Sequence, residues 1–472
     1  MTLVGEPVAA RPVSRGRAIA TQPAGAWIVA ALTTAAYILF SFTQWIRLES
    51  PSWDLGIFTQ LAKDYASFQA PIVPIKGDGF NLLGDHFHPL LVVLGPVYAL
   101  FPSAFTLLVV QDVLIGVSAF VVARASIRML GTPSGVCLGL AYGLSWGLQN
   151  AAAAQFHEIA FALPLLALSL EAVLWRRWTA AALWAAPLVF VKEDLGVTVA
   201  AIGAYAAWKG GSRIGAWLAV WGLGWVLLAV LVILPLLNPG SAYAYGLARP
   251  GEWADPWSAL IALFTPEQKY QTLALMLLCT GALALRSPLV LLVVPTLAWR
   301  FVSTNQHYWG PGWHYSAVLM PILFMALLDA IRSTRASARS WLRSYGRAVV
   351  PVAGTVAAML LPGLPLGSLA TPSAYAAPAR AGQAHEAMAT IPDGSIVESD
   401  IALMHYLVPR TTVYWLGNPG NPPPDYLILD RSNGTWGGSP PDDVAAYAEE
   451  RHPGARYELV YDEAGYQVAR RE

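Results

Sequence analysis

Apolar runs long enough to cross a bilayer recur along most of this chain, and no other feature limits its fold so strongly. About 20 apolar residues at a helical rise span the hydrocarbon core, and in lipid only helices or closed barrels satisfy their own backbone polar groups. Runs near 26–46, 104–127, 133–152, 159–175, 178–191, 194–208, 214–236, 270–285, 287–300, 315–331 and 348–368 predict a polytopic α-helical membrane protein with about eleven transmembrane helices. The charge content agrees: only 12% of the 472 residues are Asp, Glu, Lys or Arg, about half the share of a soluble domain.

Arginine and lysine placement orients these runs. Arg11, Arg15 and Arg17 precede the first run, and alternate connections receive Arg124 and Arg128, Arg176 and Arg177, Lys209 and Arg213, Arg286, and finally Arg332 to Arg347. All fall on one side provided residues 88–101, too short to span with ease, do not cross. By the positive-inside rule that side is cytoplasmic. The expected layout is a cytoplasmic tail over 1–25, a membrane domain over 26–368 with a large first outer loop at 47–103, and an extracytoplasmic α/β domain over 369–472. In the last, strand-like GSIVES, TTVYWLG, DYLILD and YELVYDE alternate with helical AHEAMATIP and DDVAAYAEERHP. The first apolar run exceeds a signal-peptide core and lacks a small-residue cleavage site, so it is expected to be retained. Cys137 and Cys279 lie inside apolar runs and read as packing residues.

The acids, histidines and aromatics gather on the outer side. Leu55, Phe58, Leu61, Tyr65 and Phe68 repeat at helical spacing, predicting a short amphipathic helix on the membrane surface. Asp54 opens it, either as an N-terminal acid favoured by the helix dipole or as a general base beside the bilayer. GDHFHP supplies Asp85, His86 and His88, and QFHE supplies His157 and Glu158; oxygen and imidazole donors together suit Zn²⁺ or Mn²⁺ better than Mg²⁺ alone. A hydrogen-bonded turn before Pro89 would explain the first group as well. Lys192, in KED between two short spans, is either an ion-pair partner or a contact for a lipid phosphate. Arg300, His307, Tyr308, His314 and Tyr315 belong to RFVSTNQHYWGPGWHY, where an interfacial belt explains the tyrosines and tryptophans but not the histidines. No Walker motif occurs, which argues against an ATPase.

In that order WDLGIFTQ, GDHFHPLLVVLGPVYALFP, QFHEIAFALPLL, KED and YWGPGWHY resemble a bacterial family of predicted polytopic membrane proteins of unknown function. That family is itself similar to the GT-C glycosyltransferase superfamily. The resemblance implies a plasma-membrane enzyme using a polyprenyl-phosphate-linked sugar, many relatives needing a divalent metal (Mn, Mg or Zn). Asp54 then matches the first-loop acid, the candidate general base. Asp85 and His86 match a second acid near the metal or the donor phosphate, and His157 and Glu158 the acid of the second outer loop. The paired Asp-Glu of well-known members is absent from the first loop, where histidines stand instead.

The expected function is transfer of a sugar from a polyprenyl-phosphate donor to an extracytoplasmic glycan, lipid or protein acceptor of the cell envelope, in contact with membrane lipid and without nucleic acid. Asp85, His86, His88, His157 and Glu158 would be metal or phosphate ligands, and Lys192, Arg300, His307, Tyr308, His314 and Tyr315 would bind the donor. A transporter or flippase of lipid-linked substrates is the first alternative, with Gln111, Asp112 and Glu171 as the in-bundle polar residues it would use. The second is an envelope-assembly protein acting through its outer domain.

Overall fold

A computed structural model describes residues 22–240, 264–433 and 439–472, together with Trp257, Ile261 and Trp436. The N-terminal arginines and most of the 237–269 loop fall outside the described residues. Among the described residues five helices are long and apolar enough to cross a membrane: Ala24–Ile46, Ala104–Leu130, Arg213–Leu237, His314–Arg335 and Ser340–Gly363. The other expected runs form shorter or broken helices. Thr132–Gly143 and Trp146–Ala153 divide the 133–152 run, and Ala162–Leu174, Trp178–Ala185, Leu195–Gly210 and Glu267–Cys279 follow. Residues 89–100 form a short 3₁₀-plus-α segment rather than a long helix, as their length required.

The interior of this bundle is apolar, and His314–Arg335 runs through its middle, with Leu319, Phe324, Leu327 and Ile331 inaccessible to solvent. At one end Arg124 and Arg128 meet Glu171, and Arg332 donates to the Leu174 carbonyl. Arg124 and Arg128 lie in the helix Ala104–Leu130, so this basic end lies about 30–36 Å from the end where Ala104 packs near the first loop.

The C-terminal residues build a five-stranded sheet from β1 (Ile396–Ser399), β2 (Thr412–Trp415), β3 (Tyr426–Asp430), β4 (Tyr457–Glu463) and β5 (Tyr466–Arg471), ordered β2-β1-β3-β5-β4. β1 pairs in parallel with β2 and β3, and β5 joins β3 and β4 antiparallel. Helices Ala381–Ala389 and Val444–Arg451 match the two helical stretches. β5 was not expected, because YQVARR ends in two arginines and carries little apolar signal.

The first-loop helix forms over Asp54–Ala66, but its apolar face does not lie on lipid. Leu55, Phe58 and Leu61 share one core with Met388, Val397, Met404, Leu407, Val413 and Ile428 of the C-terminal domain. A Cβ at Gly56 would sit 3.0 Å from the Met404 sulfur and 3.1 Å from Ile75 Cδ1, so even one added carbon would require these side chains to give by a few tenths of an ångström. Helical spacing identifies an apolar face; it does not identify what covers it. Phe68 lies past the helix end, at φ 58° and fully exposed.

Candidate functional site

The outer segments meet around one cavity of about 860 Å³. Asp54, Asp85, His86, His88, His157, Glu158, Lys192, His307, Tyr308, His314 and Tyr315 line it, together with Ser52, Trp53, Lys76, Glu193, Asp194 and Trp313. Its apolar wall is Val197, Val226, Val230, Pro295, Ala298 and Val302, from three helices of the bundle.

Local structure explains how each segment reaches this cavity. Asp54 is the first residue of its helix, and its Oδ2 accepts a 2.6 Å bond from the Ser52 hydroxyl. GDHFHP is held by its glycine: a Cβ at Gly84 would lie 2.4 Å from the Leu237 backbone, and Asn238 donates to the Gly84 carbonyl at 3.0 Å. QFHE turns at Gln155, a non-glycine residue at φ 66°, whose amide donates to the Glu49 carbonyl. Trp313, at φ 65°, makes a second such turn. Strained backbone of this kind concentrates at functional sites.

Two charged groupings occupy the cavity. In the first, His157 Nε2 lies 3.5 Å from Asp54 Oδ2, while its Nδ1 lies 3.2 Å from the Gln155 carbonyl oxygen. Both ring nitrogens therefore face acceptors, which a protonated imidazole satisfies with two donors. Burial alone would raise the Asp54 carboxyl; His157, with help from Ser52 and Lys76, instead brings it to about 2. The same pairing overcomes burial at His157 and lifts it above the usual imidazole range. The His157 ring stacks on His314 at 3.6 Å between centroids.

In the second grouping, Lys192 Nζ lies 2.8 Å from Glu158 Oε1, and His86 Nδ1 lies 2.7 Å from Glu193 Oε1. Glu193 also accepts the Phe87 backbone amide at 3.0 Å. Burial would raise Glu158, yet Lys192 and then His157 lower it to about 2. Lys192, buried but facing Glu158, Asp194 and Glu193, is held well above its ordinary value and stays charged. Burial lowers His88 to about 4, so it stands as a neutral imidazole.

The residues expected to hold a metal do line one cavity, but Asp85, His86, His157 and Glu158 are turned to other partners, which leaves His88 as the one expected ligand with a ring nitrogen, Nδ1, unengaged. Asp85 faces Lys76 at 3.0 Å, Glu158 faces Lys192 and His86 faces Glu193. Among the described residues no three His, Cys, Asp or Glu side chains gather closely enough to hold an ion. As placed, this donor set does not fit a divalent metal.

Arg300 does not line the cavity. It is fully buried, and its guanidinium donates to the Tyr308 and Gly310 carbonyls at 2.7 and 2.9 Å and to the Ser316 hydroxyl at 3.0 Å. It shapes the 305–316 segment that carries His307, Tyr308, His314 and Tyr315. Lys76 escaped the sequence reading altogether. A lone lysine in PIVPIKGDG has no spacing partner, and its only signal was its place in the polar outer loop.

The family described as predicted membrane protein (DUF2079) matches residues 44–468, and the chain belongs to it. Two crystal structures of ArnT from Cupriavidus metallidurans share the fold. The one bound to undecaprenyl phosphate aligns at a TM-score of 0.56 with 12% identity, covering 95% of this chain and 98% of that one. The apo state aligns at 0.53 with 14% identity, covering 94% and 97%. No curated protein matches. At this identity the likeness shows the fold alone, an ArnT-like helical membrane architecture with a small C-terminal sheet.

Proposed function

We propose that this DUF2079 member is a bacterial plasma-membrane glycosyltransferase that moves a sugar from a polyprenyl-phosphate donor to an extracytoplasmic envelope acceptor. The observation that carries the reading is the composition of the cavity. Its lining joins five carboxylates, two lysines and five imidazoles to a wall of valines on membrane helices. A phosphate-linked sugar on an isoprenoid chain has that same division. The undecaprenyl phosphate in the ArnT crystal structure supports a lipid phosphate as the partner.

In this reading the acceptor hydroxyl attacks the anomeric carbon while the carbon–oxygen bond to phosphate breaks, inverting the configuration. The hydroxyl proton passes to Asp54, which its low pKa keeps ionised at neutral pH. The bonding electrons leave with the lipid phosphate, whose charge Lys192 meets. Fixed positive charge in a water-poor site is the main means of stabilising such a leaving group. No step is routed through a metal. Tyr308, Tyr315 and Trp313 supply flat faces for a sugar ring. The arginine distribution supports an N-terminus in the cytoplasm and a cavity and C-terminal domain outside.

The transport reading retains Asp112, fully buried in the bundle, but has less behind it elsewhere: Glu171 is engaged by Arg124 and Arg128, and Gln111 accepts the His157 backbone amide at 3.2 Å. The test is transfer by purified protein in lipid with a panel of radiolabelled polyprenyl-phosphate sugars. Release of label to an acceptor by wild type supports the reading; no release with any donor from folded protein opposes it.

A further inference from the structure

Lys76 is the one lysine of the cavity that the proposed chemistry leaves without a task, and its position depends on a different part of the chain. It sits in the 71–82 segment, which closes on itself through a bridge between Ile72 and Asn81. From the C-terminal domain, the Tyr414 hydroxyl donates to Asp78 Oδ1 at 2.8 Å and the Asn418 amide donates to the Ile75 carbonyl at 2.8 Å. Trp415 meets the Trp53 ring edge-on at 4.7 Å, and the Lys76 ammonium stands 5.0 Å over that same Trp53 ring. These contacts all come from β2 or the turn directly after it. The Tyr414 and Asn418 bonds hold the segment at Asp78 and Ile75, on both sides of Lys76 in the sequence.

We infer that the C-terminal domain is a working part of the cavity rather than a separate binding module: Tyr414, Trp415 and Asn418 are positioning residues that hold Lys76 at the Asp54 end, where it contacts the polar part of the substrate. The inference rests on the proposed transfer reaction for the substrate and on geometry alone for the positioning. A lysine on a free Pro/Gly-flanked loop would sample many rotamers; ordering a long side chain of this type has a large entropic cost. The domain meets that cost during folding, so the ammonium is already in place when substrate arrives. Its ammonium stands 5.0 Å over the ring of Trp53, the residue before Asp54, which places the contact beside the reacting hydroxyl rather than at Lys192. Lys76 and Asp85 together, at 3.0 Å, present a donor and acceptors to a hydroxylated group beside the Trp53 face.

The experiment compares the two cavity lysines by amine acetylation and mass spectrometry on the full chain in lipid nanodiscs. Their side chains are shielded alike, 13% exposed for Lys76 and 12% for Lys192, so Lys192 is an internal control. Tyr414→Phe/Asn418→Ala removes both clamping bonds, and Asp78→Ala removes one of them from an exposed position on the loop side. Loss of one hydrogen bond is expected to raise Lys76 labelling roughly fivefold, and loss of both by more, with Lys192 unchanged. The same variants are expected to raise KM for transfer by a similar factor at near-constant kcat. Lys76 labelling that stays level with wild type in both variants overturns the inference, as does a parallel rise at Lys192. If wild type transfers no sugar, the proposed function fails while the labelling still decides the positioning.

Discussion

The pairing of Lys192 with Glu158 permits a test that separates holding the fold from binding phosphate. At 2.8 Å and an effective dielectric of ~20, the attraction within the pair is about 6 kcal/mol. Desolvation of both groups offsets much of that, but removing one partner alone leaves a buried charge uncompensated. The expected loss of stability for Lys192→Met is therefore roughly 3–5 kcal/mol. Replacing both partners, as Lys192→Met/Glu158→Met, removes the stranded carboxylate and keeps the volume, so most of that stability is expected to return. Binding of undecaprenyl phosphate is expected to stay lost in the double variant, because the cation has gone. The assays are chemical unfolding in lipid and equilibrium binding of the lipid phosphate. If the double variant regains both stability and binding, Lys192 is only an ion-pair partner and the phosphate role is wrong. If the single variant loses neither, the buried pair itself is misread.

Three further perturbations reach other parts of the account. The Asp54–His157 pair joins a lowered carboxyl to a raised imidazole. The His157 share of its stabilisation is full below the ordinary imidazole pKa of ~6.5 and is lost as pH rises through the raised folded value. The Asp54 share is full above ~3.9 and is lost only as pH falls towards about 2. The stability gap between wild type and His157→Gln should be level across mildly acidic pH and close on the alkaline side; a gap that closes between pH 6 and 4 contradicts the pairing. Gly56→Val would drive a side chain into Met404 and Ile75, with an expected overpacking cost of about 1–3 kcal/mol and earlier proteolytic release of the C-terminal domain. Arg300→Ala would strip two carbonyls and a hydroxyl of a buried donor, with an expected cost of about 3 kcal/mol and loss of sugar transfer without any cavity-lining residue having changed.

Much of this arrangement was legible in the sequence because its physics is local. Apolar runs and alternating basic connections report the bundle, and four strands and two helices of the C-terminal domain announced themselves by period and turn residues. The polar segments that meet at the cavity were found as chemically unusual stretches, although nothing in their spacing fixed their pairing. Glu193 illustrates the limit: it stands beside Lys192 in sequence, yet it faces His86, and Lys192 reaches Glu158 instead. Only the fold decides such partners. The same holds for the first-loop helix, whose apolar face reads alike whether lipid or protein covers it. Arg300 shows the converse, since an arginine among aromatics looks like a ligand-binding group until its donors are traced to backbone carbonyls.

The central claim is that this cavity transfers a sugar with Asp54 as the base, and comparing wild type with Asp54→Asn tests it most directly. Both would be purified in lipid and given radiolabelled polyprenyl-phosphate sugars, with and without EDTA. The account predicts transfer by wild type that survives chelation, and a drop of about 10²–10⁴-fold in Asp54→Asn with folding and lipid-phosphate binding intact. Full activity in Asp54→Asn would contradict the assignment of the base, and transfer abolished by EDTA would contradict a reaction with no step routed through a metal.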